Sequence, residues 1–371
     1  MKSDLIKTLY GQMAGAVFPR DIEGTCQVEL TDQDGSCSAY IGYYGHQLRY
    51  SDEREKDPDA VVRMRSDTLA GILNTADRFD LRNPEMLMQV SAEGSLELAS
   101  FLFGLVKRPA PRIRQLIREA ETRATGRWEQ GPEIKKIDKP SEVEVIRLID
   151  RSQPFLITGV LDDWPFLSAD FRKLKEDYGS LNLRPDLEKG NGEFETLGDF
   201  IENMNDPGNK EVYTFGCPLP LAIWAELPLP YFDWDSLTSP QIWMGRKTGD
   251  RPCTTLHRDC NHGLLVNLLG RKKMIFFSPD QSDYVYPVPA FNTYQPCEIG
   301  DVLHVDLQQY PLFGNACPFE VIVEPGEILV IPAFWYHCVY ALEDVLSISF
   351  SILWDAWQNW QSEILSSQSK N

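Results

Sequence analysis

Five histidines occur in the 371 residues, His46, His257, His262, His304 and His337, and two of them stand where a metal ion could be held. His257 and Asp259 are two residues apart, so on an extended strand an imidazole and a carboxylate project from the same face. Eighty positions later, His337 closes the run PGEILVIPAFWYH, which reads as a tight turn, a buried strand and a strand end. Two imidazoles and one carboxylate on one face of an octahedral ion leave three positions open. That arrangement suits non-haem Fe(II), because a bidentate oxoacid and dioxygen can share the vacant positions. A His-x-Asp alone would also describe a strand-end histidine hydrogen-bonded to an aspartate. The stretch LLGRKKMIFFSP between the two ligand segments weighs against that simpler reading. It places Lys272 and Lys273 at the start of an apolar strand, where a buried ammonium is costly unless it meets an anion. Adjacent residues face opposite ways, so one lysine points inward.

Other reactive side chains read more plainly. His262 sits in the loop after the ligand pair as a wall or ordinary residue, and His46 and His304 as ordinary polar side chains. Cys253, Cys260 and Cys338 flank the ligands and are assigned to packing, and Trp335 and Tyr336 to core or pocket wall.

The elements that must position these residues follow from composition and periodicity. With 43% apolar and 25% charged residues the chain is an ordinary globular sequence, and its length favours two domains. A net charge of −19 argues against a nucleic-acid partner. No run of 18 apolar residues exists, so no membrane span is expected. The N-terminus carries Asp4 and lacks a continuous apolar core, unlike a signal peptide. Eight scattered cysteines without a CxxC pair suit a reducing, cytoplasmic setting. Strands are expected near 26–30, 38–43 and 47–51, with a fourth at 60–64. A helix capped by Ser66 follows through Asn74, then a strand at 87–90 and a helix at 96–106. Pro109 and Pro111 break the chain before an exposed, arginine-rich helix at 113–125. Three parts result: a domain at 1–106, a basic helical linker at 107–130, and a domain at 131–371. In the last, 241–353 is dense in β-branched and aromatic residues punctuated by Pro and Gly, a composition suited to a barrel or jelly roll. Helices are expected at 170–178, 197–203 and 354–365.

Two resemblances sharpen this. DPDAVVRMRSDTLAGILN and MQVSAEGSLELASFLFGLV resemble a sterol-carrier-protein-type lipid-binding domain, an α+β fold whose open sheet and helices would enclose an apolar tunnel for a lipid ligand. WMGRKTGDRPCTTLHRDCNHGLLVNLLGRKKMIFFSPDQ, VEPGEILVIPAFWYHCV and the earlier PFLITGVLDDWP are similar to the cupin-like JmjC oxygenases. That likeness implies a mainly β, double-stranded β-helix with flanking helices, using Fe(II), 2-oxoglutarate and O2, with succinate and CO2 as co-products. Position by position, it makes His257, Asp259 and His337 the iron ligands. Lys272 would pair with the distal carboxylate of 2-oxoglutarate and Thr254 would hydrogen-bond it. Ser351 and Asn267 fall at positions lining the cosubstrate site, where relatives often carry Asn and Gln, and Gly263 replaces a common Asn.

The expected function is a hydroxylase acting on an unactivated carbon. Three readings of its target stay open: a peptide or protein side chain; a small or lipid-linked metabolite presented by the N-terminal domain; or no turnover at all, in a metal-binding cupin used as a scaffold. The aromatic tail 354–360 is a candidate homodimer contact.

Overall fold

The computed structural model describes residues 2–55, 57–79, 88–126, 134–162, 164–183, 195–206, 208–209, 212–214, 216–227 and 231–368. The chain divides into two compact units, Met1–Arg118 with Tyr286–Glu298, and Glu119–Val285 with Ile299–Asn371.

In the first unit β1 (Gly24–Asp32), β2 (Gly35–Tyr44), β3 (Gln47–Ser51), β4 (Ala60–Met64) and β5 (Val90–Gly94) form one sheet in the order β3-β2-β1-β4-β5. Its buried positions alternate, as at Cys26, Val28 and Leu30 and again at Ala60, Val62 and Met64, the period that lets one face of a sheet meet a core. The helices Lys2–Ala14, Ser66–Asn74 and Leu96–Gly104 bring Ile6, Leu9, Leu69, Ile72, Leu98 and Leu102 to that core. The helix Lys2–Ala14 has no counterpart among the elements expected from sequence, although Ile6, Leu9 and Met13 share a face at helical spacing.

Two local assignments are corrected. Arg65, not Ser66, occupies the cap position of its helix, and the Ser66 N–H donates to Asp32 Oδ1 at 3.0 Å. That partner lies at the end of β1, beyond the reach of any local pattern. The strand expected at 87–90 begins at Val90 instead, and Leu87 lies outside the described residues. Tyr286–Glu298, though far along the chain, belongs to this unit: Val288 and Ala290 enter its core, and Asn292 Nδ2 donates to Phe79 O at 2.9 Å.

The second unit is largely β. Its strands run β6 (Lys135–Asp138), β7 (Phe155–Thr158), β8 (Cys217–Pro218), β9 (Gln241–Gly245), β10 (Thr254–Asp259), β11 (Gly263–Leu269) and β12 (Lys272–Phe277). After β13 (Tyr294–Pro296), which lies in the first unit's segment, come β14 (Phe319–Val323), β15 (Ile328–Ile331), β16 (Tyr336–Ala341) and β17 (Val345–Ser351). One sheet has the order β6-β7-β15-β11-β17-β9-β8, and the other places β10, β16, β12 and β14 side by side. Leu156, Leu265 and Leu329 of the first sheet meet Met274, Phe276, Phe319 and Val339 of the second in one cluster, so the two sheets face each other. The other face of the larger sheet, with Val266, Val330 and Ile348, packs against the helices Glu142–Asp150, Phe171–Tyr178 and Leu197–Asn205 through Val145, Leu174 and Phe200. Those helices start where side chains cap them: Ser141, Asp170 and Thr196 each accept a backbone N–H.

The helix Pro111–Ala124 begins on a proline, where the missing N–H removes no helical bond. It is not exposed all round, because Ile117, Ala120 and Ala124 form a buried stripe. The tail helix Trp354–Gln368 spends its aromatic face on its own unit: Trp357 packs on His262 with ring centroids 4.4 Å apart, and Trp360 on Phe232 at 4.9 Å.

Candidate metal centre

β10 and β16 pair antiparallel with His257 directly opposite His337. The imidazoles therefore stand side by side, ring centroids 4.2 Å apart, and Asp259 joins them from the same face of β10. The Asp259 carboxylate oxygen is 3.7 Å from His257 Nε2 and 3.9 Å from His337 Nε2. One ligand atom from each residue lies within 4.8 Å of the others. Each ring is fixed from behind: His257 Nδ1 is 2.7 Å from Thr255 O, and His337 Nδ1 is 3.1 Å from Trp335 O. A carbonyl can only accept, so each Nδ1 carries the proton and each Nε2 presents its lone pair. Burial, followed by the adjacent His257, holds His337 well below the usual histidine range and keeps it neutral, the ligating form. Burial raises the Asp259 carboxyl, opposed by His257; 43% of that side chain is exposed, and the water reaching it limits the rise. Two donors at about 2.1 Å from one ion lie at most about 4.2 Å apart, and about 3.0 Å apart in adjacent octahedral positions, so the two carboxylate–imidazole separations fall under the ceiling and would close by less than about 1 Å around a facially bound ion.

The loop before His337 carries a strained residue that hydrogen bonds hold in place. Phe334 has φ +69°, a left-handed conformation uncommon for a residue with a side chain, and its N–H donates to Asp259 O at 2.8 Å. Trp335, 1% exposed, donates Nε1–H to Ser152 Oγ at 2.9 Å.

A polar pocket lies farther along the same strands. Lys272 pairs with Ala341 and Phe276 with His337, so Lys272 starts four residues, about 13 Å of strand, from the imidazoles. It is 1% exposed. Its Nζ donates to Tyr213 Oη at 3.1 Å and to Ser347 Oγ, and burial pushes its ammonium down to about 8. Among the described residues, no carboxylate lies within ion-pair distance of it. Lys273 is the outward neighbour, bound to Glu320 at 2.9 Å. Tyr213 is within hydrogen-bond reach of Thr254 and Cys253.

Thr254 reaches this pocket through an irregularity. Thr254 pairs with Val339 and His257 with His337, three steps on β10 against two on β16. This bulge inserts one residue, which brings Thr254 to the same face as His257 instead of the opposite one. Along β17, Ser347, Ser349 and Ser351 alternate with Leu346, Ile348 and Phe350 of the outer core. Ser351 pairs with Gly263, and Ser349 Oγ accepts from Trp243 Nε1 at 2.6 Å.

Asn267 faces the same side as Leu265, but its Nδ2 is engaged by Gly270 O at 2.7 Å and Val323 O at 3.1 Å, leaving Oδ1 buried without a partner. His262 accepts the Ala333 N–H on Nδ1 at 3.0 Å, and burial lowers it to about 3. His304 pairs with Asp301 at 2.9 Å on the exposed surface. The sequence did not single out Tyr213 or Ser347. A lone Tyr or Ser far from the ligand motif carries no spacing signal, and only the fold brings them to Lys272.

A family model described as a cupin-like domain matches residues 140–359, which is more than half of the chain. The chain belongs to the cupin-like family. The cupin-like match falls within 119–371 and does not reach the N-terminal residues, whose likeness to sterol-carrier domains rests on sequence pattern alone. Among curated relatives, JmjC domain-containing protein D of Dictyostelium discoideum is 36% identical over 106 residues, 29% of this chain and 23% of the relative. The 2-oxoglutarate and iron-dependent oxygenase JMJD4 of Danio rerio is 32% identical over 146 residues, 36% of this chain and 33% of the relative. The tRNA wybutosine-synthesizing protein 5 of Danio rerio is 34% identical over 98 residues, 26% of this chain and 28% of the relative. In all three the matched part is a third of the relative's length or less. Among the described residues, no helix of this cupin-like chain is long and apolar enough to cross a membrane.

Proposed function

We propose that this protein is an Fe(II)- and 2-oxoglutarate-dependent oxygenase that hydroxylates an unactivated carbon on a peptide or protein side chain. The observation that carries the reading is the convergence of His257, Asp259 and His337, each imidazole locked with Nε2 forward. The donor set fits the metal: two neutral imidazoles and one carboxylate on one face suit Fe(II) and leave the other positions open. When bound, the iron and its oxoacid supply the oxidising chemistry. The chain's own part is placement. Lys272, with Tyr213, Ser347 and Thr254 around it, offers the distal carboxylate of 2-oxoglutarate a buried cation and hydroxyl donors. Ser351, on β17 with Ser347, adds a polar group for the cosubstrate or substrate, while the Asn267 side chain supports the turn that leads to Lys272. The aromatic and apolar residues between the sheets keep bulk water from the reacting centre.

A polypeptide target agrees with the charge of −19, which favours basic or neutral partners and disfavours phosphate backbones. The relatives named as oxygenase and JmjC protein support the reaction class. Succinate release by the full chain should rise on adding the right peptide and vanish in His257→Ala. If neither peptide-coupled nor uncoupled 2-oxoglutarate turnover occurs in metal-loaded protein, the oxygenase reading falls and a scaffold role replaces it. The lipid-linked alternative draws on the open sheet of the first unit and on Met88 and Leu96, exposed apolar side chains of that unit. Saturable uptake of a fluorescent acyl probe by the full chain would favour it, and absence of uptake would remove it.

A further inference from the structure

Arg258 stands between His257 and Asp259 and, by strand alternation, projects from the opposite face of β10. A guanidinium behind a sheet is ordinarily solvated, yet Arg258 is 4% exposed. It lies over the ring of Tyr336, 4.7 Å from the centroid. Tyr336 is its register partner on β16 and the residue before His337. Arg258 Nη1 is 3.4 Å from Glu121 Oε1 and 3.4 Å from Ser282 Oγ. Ser282 Oγ is 2.6 Å from the same Glu121 oxygen, 2.9 Å from the Tyr336 hydroxyl and 2.9 Å from Pro279 O. A hydroxyl has one proton, and the charged acceptor at the shortest distance takes it. Ser282 therefore donates to Glu121 and accepts a hydrogen bond from the Tyr336 hydroxyl.

The result is a closed circuit, Arg258–Glu121–Ser282–Tyr336, on the back of the two strands. It sits at the level where their front faces present His257, Asp259 and His337. A buried ion pair is a poor source of stability, since apolar residues of the same volume often do as well. Its position suits a different role, because it ties β10 to β16 just past the register shift between Thr254 and His257, at the level of the three candidate ligands.

We propose that Arg258 is a positioning residue of the metal centre, holding β10 and β16 through Glu121, Ser282 and Tyr336 so that the three ligands keep their separation. The proposal rests on the metal-binding reading above. The test is anaerobic Co(II) binding to the full chain, read by calorimetry and by the visible ligand-field spectrum. The proteins compared are wild type, His257→Ala, Arg258→Gln, Glu121→Gln, the Arg258→Gln/Glu121→Gln double variant and Tyr336→Phe. Wild type should bind and His257→Ala should not. Arg258→Gln and Glu121→Gln should each weaken Co(II) roughly ten- to a hundred-fold, as loss of a group supporting metal ligands does, and should alter the spectrum.

The double variant should lose less than the two single losses combined, because both residues act through one shared contact. Tyr336→Phe keeps the ring and removes only the hydroxyl link, so it should shift the spectrum the same way with a smaller loss of affinity. It decides the matter if Arg258→Gln does not fold. Folded variants that bind Co(II) within about twofold of wild type, with an unchanged spectrum, would overturn the proposal. Wild-type protein that binds no Co(II) would remove the metal reading and this inference together, a result distinct from equal binding by wild type and variant.

Discussion

At the scale of single residues, the two adjacent lysines make the sharpest contrast. Lys272 is buried against two hydroxyls, while Lys273 holds a half-exposed pairing with Glu320. Removing a buried cation from its anion typically costs about 2–5 kcal/mol, and an exposed pair less than about 1 kcal/mol. Lys272→Ala should raise the 2-oxoglutarate requirement about thirty-fold or more, and Lys273→Ala should leave it nearly unchanged. Titration of cosubstrate binding by calorimetry checks both; an equal effect of the two would place the distal carboxylate elsewhere.

The same lysine gives a pH prediction. Its folded value is depressed to about 8 from 10.5, so below pH 8 both folded and unfolded chains carry the proton and the folded state bears the cost of a buried charge. Between pH 8 and 10.5 the unfolded chain binds more protons, and that cost fades as pH rises. Lys272→Met should therefore stabilise the cosubstrate-free protein at pH 7, by up to roughly 3 kcal/mol before lost hydrogen bonds are counted, with the gain shrinking toward pH 10. Denaturant midpoints for both proteins across that range decide it; a gain that grows with pH would contradict it. Among the ligands, His257→Ala or Asp259→Ala should abolish measurable Mn(II) binding by calorimetry, since two donors hold such an ion poorly.

At the scale of elements, the polar pocket around Lys272 depends on turns and a bulge as much as on strands. Gly270 links β11 to β12 at φ +65°, and a Cβ there would lie 2.1 Å from Asp344 O. Its own carbonyl receives the Asn267 side chain at 2.7 Å. Gly270→Ala should destabilise the protein by about 1–3 kcal/mol. Because Lys272 lies two residues on, 2-oxoglutarate affinity should fall as well. Thermal unfolding together with cosubstrate titration tests this, and an unchanged midpoint would show that the turn relaxes freely. Asn267 is explained better by this turn than by direct contact with the cosubstrate, although its Oδ1 is still without a partner.

At the scale of the whole molecule, the division of the chain departs from a simple linear order. Tyr286–Glu298 is grouped with the N-terminal residues, and Val288, 1% exposed, sits in their core. A substitution inside the cupin-like part of the sequence should thus weaken the other unit. Val288→Asp buries a carboxylate without a partner and should destabilise the first unit by several kcal/mol. Limited proteolysis should then cut within 1–118 much faster, while Co(II) binding by His257, Asp259 and His337 is largely kept. Unchanged proteolysis would argue that Val288 contributes little to that core. The tail helix offers little support for a homodimer through its aromatics, because Trp357 and Trp360 already pack on His262 and Phe232.

The amino-acid order alone put His257 and Asp259 on one face of a strand and marked His337 as their candidate partner, whereas the register that sets His337 opposite His257 came from the pairing of β10 with β16. The order also determined that one of Lys272 and Lys273 faces inward, and the alternating strands β1, β3 and β4. What only the tertiary structure decided are features fixed by partners far away in the chain. Thr254 faces the pocket because β10 is bulged against β16, an extra residue that no local periodicity announces. Tyr213 and Ser347 meet Lys272 across the sandwich, and Asp32, not Ser66, satisfies the start of a helix. Local side-chain period is written in the order of residues; pairing register and long-range hydrogen-bond satisfaction arise only when distant segments compete for the same buried donors and acceptors.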